Sequence, residues 1–278
     1  MVSSQRVLCP VDLSAVSEGA LRHAAALAEW YDATLTVLFV RTGDRVTLTE
    51  RHLAAFVDAA LGAHAAQLRV TDGDVVFEIV RSATALPVDL VVMGTHGVSG
   101  FKQLLLGSVT ERVLREAPSP VLTVPPRVAR QSPDAVSLAT VVCAVDFSAS
   151  SVRALAYAVS IARKAGGRLV LLHSLEWFDE EVAAPSQGGN TKGLPTSEED
   201  ARHRLEELLT ADARACDPEL VVGPGSPAAE ILRVVRESDA GLIVLGVHGR
   251  NALDRAIFGS TSQRVVRESP CAVLTVRA

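Results

Sequence analysis

Short apolar runs punctuate this chain, and between them apolar residues recur at helical spacing. Residues 6–11, 35–40, 90–93 and 121–124 are runs of strand length that stop at polar residues, glycine or proline. Residues 67–70 read as a shorter third strand. Leu13, Val16, Ala20 and Leu27 are spaced for a helix over 14–30. Leu53, Phe56, Val57, Ala60 and Leu61 share one face of a helix over 49–65. A fourth helix covers 108–116 and is ended by Pro118, as Pro270 ends its counterpart. The pattern βαβαβαβαβ predicts an open parallel sheet with right-handed crossovers and helices on both faces.

The same pattern occurs twice. Arg6 to Ser14 aligns with Thr140 to Ser148 at an offset of 134, and Arg112 to Glu116 aligns with Arg264 to Glu268 at an offset of 152. The difference of 18 is an insertion in the second copy, placed at about 183–197, where Pro185, Gly188, Gly189, Gly193 and Pro195 cluster. Pro125 to about Val136 carries three prolines and reads as connecting sequence. The expected organisation is therefore a domain at 1–126, a linker at 127–138 and a second domain at 139–278. The expected fold is α/β: two tandem open parallel five-stranded sheets, Rossmann-like, each of order 3-2-1-4-5. The repeat also decides one ambiguous stretch. Val75 to Val80 has the β-branched content of a strand, but it aligns with Pro227 to Leu232, which follows Ser226 and begins with proline as a first helical turn does. A helix over 75–86, capped by Asp74, is expected.

Each fourth strand runs into glycine. Gly94-Thr95-His96-Gly97 is followed by nine residues and Gly107-Ser108; Gly246-Val247-His248-Gly249 is followed by nine residues and Gly259-Ser260. Strand, glycine loop and helix N-terminus together suit a phosphate, because glycine admits close backbone approach and first-turn amides are unpaired donors. The other reading is a tight turn followed by a Ser N-cap. Asp12 and Asp146, each two residues before a serine, end the first strand of each copy. They read as turn residues, or as carboxylates within reach of a ribose hydroxyl. In a sheet of order 3-2-1-4-5 the strand order reverses between strands one and four, so the Asp loop and the glycine loop share one crevice. His96 and His248 read as loop-stabilising or solvent-facing. Lys102, Arg250 and Arg255 do not match between copies and read as solvated loop charges. Arg202, Arg204, Glu206 and Glu207 read as a solvated helix face with local pairs.

The pattern Gly-x-x-Gly-(nine)-Gly-Ser, with Pro10-Val11-Asp12-Leu13-Ser14, Leu38-Phe39-Val40 and Met93-Gly94-Thr95-His96-Gly97, resembles the nucleotide motif of the universal stress protein family. The resemblance covers both copies and is to a tandem member of the ATP-binding branch. It implies that Asp12 and Asp146 sit beside adenine and ribose and that Val40 and Ser174 frame the adenine. It further implies that Gly94, Gly97, Gly107, Ser108 and Val109 hold ribose and phosphates in the first copy. Gly246, Gly249, Gly259, Ser260 and Thr261 would do so in the second. The implied cofactor is ATP, with Mg2+ as a companion for which Asp12 or Ser108 would be a ligand. Departures exist: where the family has His-Val, the copies have Phe39-Val40 and His173-Ser174, and the second copy has Ala144 in place of Pro10. The resemblance also implies antiparallel pairing of the two fifth strands. Those apolar edges would otherwise be exposed, and the result would be an internal pseudo-dimer. Further pairing of chains into homodimers is left open.

Composition narrows the function classes. The net charge of −5 and the lack of a Lys/Arg-rich run speak against nucleic acid as a partner. No apolar run reaches membrane-spanning length, and no secretory pattern opens the sequence, so a cytoplasmic location is expected. Cys9, Cys143, Cys216 and Cys271 form no CxxC pair, and Cys9 and Cys143 fall in strands, as core residues of a reducing compartment would. Neither a His/Cys cluster for a metal nor a Ser-His-Asp order, P-loop lysine or carboxylate pair is present. The leading expectation is an ATP-binding stress-response or regulatory protein. The alternatives are a slow ATPase or autophosphorylating protein, with Ser108, Ser260, Thr110 or Ser262 as acceptor, and a ligand-binding scaffold with one degenerate site.

Overall fold

The computed structural model describes residues 6–43, 49–62, 65–95, 106–132, 138–175, 195, 197–247 and 258–277. The first half runs β1 (Arg6–Val11), α1 (Ala15–Tyr31), β2 (Thr34–Arg41), α2 (Glu50–Leu61), β3 (Gln67–Asp72), α3 (Val75–Ala85), β4 (Leu90–Gly94), α4 (Ser108–Glu116) and β5 (Val121–Val124). A short α5 (Pro126–Ala129) follows. The second half runs β6 (Thr140–Ala144), α6 (Ala149–Ala165), β7 (Arg168–Ser174), α7 (Glu198–Glu207), α8 (Ala211–Arg214), β8 (Glu219–Gly223), α9 (Pro227–Glu237), β9 (Leu242–Gly246), α10 (Ser260–Glu268) and β10 (Ala272–Val276).

Each half has the expected strand order, but the two sheets are one. The ten strands lie in the order β3-β2-β1-β4-β5-β10-β9-β6-β7-β8. Within a half all pairing is parallel. The halves join antiparallel, with Leu122 opposite Leu274, Thr123 opposite Val273 and Val121 opposite Thr275. Leu122 and Leu274 are the same position of the repeat, so a pseudo-twofold axis passes between them. Thr123 and Thr275 each donate a side-chain hydrogen bond across the join, to the carbonyls of Val273 (3.2 Å) and Val121 (3.1 Å). The apolar edges are thereby covered. Strand residues alternate between two aliphatic layers, one under α1, α2 and α6 and the other under α3, α4, α9 and α10.

Residues 75–85 are helical as the repeat requires, and Asp74 caps α3 by accepting from the Phe77 amide at 2.9 Å. Ser226 holds the capping position of α9, but its side chain accepts no capping bond; Pro227 provides the helical start. The connecting sequence is not all extended. Pro126 opens α5, which lies on α1 with Val128 and Ala129 buried. The close contact depends on Gly19, where a Cβ would come within 2.0 Å of the Ala129 carbonyl oxygen. Arg22 donates to the same oxygen at 3.0 Å.

All four cysteines are buried and free. Burial pushes the thiols upward, Cys143 to about 12 and Cys271 to about 11, so they behave as apolar core residues. Among the described residues no helix is long and apolar enough to cross a membrane.

Candidate nucleotide site

β1 lies between β2 and β4, and β6 lies between β7 and β9. The loops after β1 and β4, and those after β6 and β9, therefore leave the sheet on opposite sides of a strand-order reversal. Both first-strand loops fold alike. Leu13 and Phe147 take left-handed backbone conformations (φ 63° and 62°). The turn closes when the Ser14 amide donates to Asp12 Oδ1 at 3.1 Å, and the Ser148 amide to Asp146 Oδ1 at 3.0 Å. Ser17 and Ser151 complete the knot: their hydroxyls accept from the Asp12 and Asp146 amides, and their own amides donate to the Ser14 and Ser148 hydroxyls that cap α1 and α6. Each aspartate is a turn residue, held half-buried at the crevice by backbone bonds.

The second loop begins where β4 and β9 end. The Thr95 and Val247 amides donate to Val124 and Val276, the last residues of the central strands. The Gly107 and Gly259 amides then donate back to the carbonyls of Thr95 (2.9 Å) and Val247 (3.3 Å). A hydroxyl from the first turn of each following helix fastens the arrangement: Thr110 donates to the Gly94 carbonyl at 2.9 Å, and Ser262 to that of Gly246 at 3.0 Å. Both hydroxyl residues are buried. These bonds tie each helix start, at Gly107 and at Gly259, to the residue that follows Gly94 and Gly246 respectively.

Gly107 and Gly259 are the N-caps of α4 and α10, so the alternative of a Ser cap at 108 and 260 does not hold. Ser108 and Ser260 are the first helical residues and are exposed; Val109 and Thr261 beside them are half-buried. A glycine cap offers no side-chain acceptor, so the first-turn amides have no side-chain partner, an arrangement open to an anion. Gly246 has a second, structural reason to be glycine. A Cβ there would lie 2.6 Å from Ser150 Oγ and 2.9 Å from the Ser151 nitrogen, so the first turn of α6 packs directly on it. Gly97 and Gly249 lie outside the described residues, together with His96, His248, Lys102, Arg250, Arg255 and most of the 183–197 insertion.

The ends of β2 and β7 differ. Val40 is buried and pairs with Thr71. Ser174 pairs with Gly223, and its hydroxyl donates a short hydrogen bond to the Gly225 carbonyl. His173 is buried, with Nδ1–H donating to the Val145 carbonyl at 2.7 Å and its ring 4.7 Å from that of Phe147. Arg204 is not simply on a solvated face: its guanidinium lies over the ring of Phe147, the residue after Asp146, at 4.6 Å.

Sequence reasoning missed a buried carboxylate behind each rim. Glu78 on α3 and Glu230 on α9 are buried and ion-paired with Arg81 and Arg233. Glu78 also accepts from the Thr71 hydroxyl at 2.9 Å. The Arg81 hydrogen bonds hold its carboxyl below the usual carboxylate range, against the opposing effect of burial. In the second half Gly223 and Gly225 leave the room that Glu230 fills; a Cβ on Gly223 would sit 2.2 Å from Glu230 Oε2. The retained Glu-x-x-Arg at an offset of 152 was the available signal. Among the described residues, no group of three or more His, Cys, Asp or Glu could hold a metal ion.

Comparison with known proteins fits the twofold repeat of the chain. The chain is 35% identical to a Thermus aquaticus universal stress protein, over 50% of this chain and 98% of that one. It is 29% identical to one from Mycolicibacterium smegmatis, over 98% of this chain and 96% of the relative. A crystal structure of a universal stress protein from Archaeoglobus fulgidus superposes with a TM-score of 0.68 at 26% identity, covering 99% and 98% of the two chains. The sequence profile of the Universal stress protein family matches twice, at residues 3–125 and 138–277. With both halves matched, the chain belongs to the universal stress protein family.

Proposed function

We propose that the protein is an ATP-binding regulatory protein of the stress response, with one adenine-nucleotide site in each half. The observation that supports this reading most strongly is the glycine-capped start of α4 and of α10, fastened to the end of the preceding strand by Thr110 and Ser262. That arrangement offers backbone donors to phosphate without a competing side chain. On this reading Gly94, Gly97, Gly107, Ser108 and Val109 receive ribose and phosphates in the first half. Gly246, Gly249, Gly259, Ser260 and Thr261 do so in the second. Asp12 and Asp146 take the ribose side, and Val40 and Ser174 border the base. Mg2+ would accompany the phosphates, with Asp12 or Ser108 as a protein oxygen ligand.

Nucleotide occupancy would act by stabilising one arrangement of the crevice loops. Equilibrium titration with ATP, read as heat or as a rise in unfolding midpoint, tests this directly. The expected result is saturable binding that Gly107→Val abolishes in the first half and Gly259→Val in the second. No shift at millimolar ATP removes ATP as the ligand. Group transfer has less support, because the Thr110 and Ser262 hydroxyls are buried and committed to carbonyls. Ser108 and Ser260 remain as exposed hydroxyls, and phosphopeptide mapping after incubation with ATP and Mg2+ separates binding from autophosphorylation.

A further inference from the structure

The pseudo-twofold axis brings equivalent residues of the two halves face to face, and at one such position the sequence is not equivalent. Glu111, fourth residue of α4, and Gln263, fourth residue of α10, differ in number by the repeat offset of 152. They meet directly: Gln263 Nε2 donates to Glu111 Oε1 at 3.3 Å. The other side chains bonding across the join at equivalent positions, Thr123 and Thr275, are the same residue and make the same bond in both directions. Their contact is indifferent to which half supplies which residue.

The Glu111–Gln263 contact is not indifferent. An ionised glutamate only accepts, whereas a glutamine amide both donates and accepts. Two first halves joined by the same axis would bring Glu111 against a second Glu111. That would set two acceptors and two negative charges at hydrogen-bond distance in a part-buried contact, a costly arrangement. A first half against a second half gives the hydrogen bond instead.

We propose that Glu111 and Gln263 make the pairing of halves selective: the α4 face of the first half accepts the second half of this chain and penalises a second copy of itself. The β5 edge is an open template for any similar edge, and its backbone pairing does not discriminate. The charge one helical turn into α4 contributes that discrimination beside the one-way bond from Arg277 to the Ala117 carbonyl, and the neutral amide in α10 is its matched partner.

The test recreates the like-with-like contact inside the intact chain. Gln263→Glu places a carboxylate against Glu111, and its unfolding midpoint at neutral pH should fall by about 2–4 °C, the scale of roughly one kcal/mol in a chain of this size. Glu111→Gln should leave the midpoint within about 1 °C, because two amides still bond. The exchanged double variant Glu111→Gln/Gln263→Glu should recover the parent midpoint, since it restores one donor and one acceptor. An unchanged Gln263→Glu midpoint overturns the proposal. So does a double variant as unstable as Gln263→Glu, because the loss would then belong to position 263 alone and not to the pair.

Discussion

Val40 and Ser174 occupy the same register in the two halves, yet the rims they belong to are built differently. In the first half Val40 is apolar, its neighbour Thr71 carries a hydroxyl, and that hydroxyl is held by the buried Glu78. In the second half Ser174 spends its hydroxyl on the Gly225 carbonyl, and Gly223 stands where Thr71 does. Glu230 moves into the space that the missing side chain leaves. A buried carboxylate, Glu78 on α3 and Glu230 on α9, lies against the end of the third parallel strand of each half. The residues at this register have diverged: a buried aliphatic Val40 in one half, a polar Ser174 in the other, where Arg204 also lies over Phe147. The scaffold has been kept while the two residues proposed to border the base have not.

The largest expected effect concerns the seat of α5 on α1. Gly19 admits the Ala129 carbonyl of α5, whereas its counterpart Arg153 is exposed on α6. Helix propensity alone predicts that Gly19→Ala stabilises by about 1 kcal/mol. Packing predicts the reverse, a loss of about 2 kcal/mol, because the new Cβ overlaps backbone. Arg153→Ala should change stability by less than about 0.5 kcal/mol. Thermal unfolding of the two variants measures the difference, and a stabilised Gly19→Ala would mean that α5 does not rest on α1. Next in size is Gly246→Ala. Its Cβ would press on Ser150 and Ser151, so about 1–2 kcal/mol should be lost. ATP titration should then lose the second-half site while retaining the first.

A smaller change should narrow the difference between the rims. Ser174→Val gives the second half the aliphatic surface of the first at a cost of about 1 kcal/mol for the lost hydrogen bond. If the rim sets base affinity, ATP binding in the second half should tighten several-fold toward that of the first. Calorimetric titration of the variant reads this as two unequal sites becoming nearly equal. Unchanged affinities would assign the difference to another group, with Arg204 the first to examine.

The parts of this molecule that the sequence made legible are those encoded by local period or by repetition. Strands showed as apolar runs, and α3 emerged because Val75–Val80 could be laid on Pro227–Leu232. The glycine loops showed as unchanged spacing. What stayed hidden depends on tertiary partners. Pro125 and Pro126 signalled a break in the chain, but Pro126 also starts a helix, and its seat is a glycine more than a hundred residues earlier. Arg204 looked like one charge among several on a polar helix until Phe147 lay beneath it. Glu78 and Glu230 lie within the aligned stretches Val75–Val80 and Pro227–Leu232, but a glutamate on an amphipathic helix is ordinarily solvated, so their burial was not legible.

Glu78 gives the finest test of how the two rims are supported. Its carboxyl is held below the ordinary glutamate value, chiefly by hydrogen bonds from Arg81 and secondarily by the Thr71 hydroxyl. A carboxylate with a lowered native pKa stabilises the fold above its unfolded value of roughly 4.3, and that contribution is lost as pH falls through the native value. Glu78→Gln should therefore cost about 0.5 kcal/mol at pH 7, small because Arg81 is about half exposed to solvent. The gap from the parent protein should close as pH falls below the glutamate range. Thr71→Val should show a weaker form of the same pH dependence by removing only one of the bonds to the carboxylate. Gly223 has no side chain to bond Glu230, so Gly223→Ala tests a different cost. Its Cβ would displace the Glu230 carboxylate from its seat, and the loss should persist wherever steric overlap, not charge, is the cause. Unfolding curves at several pH values for the three variants distinguish a rim held by charge from one held by space.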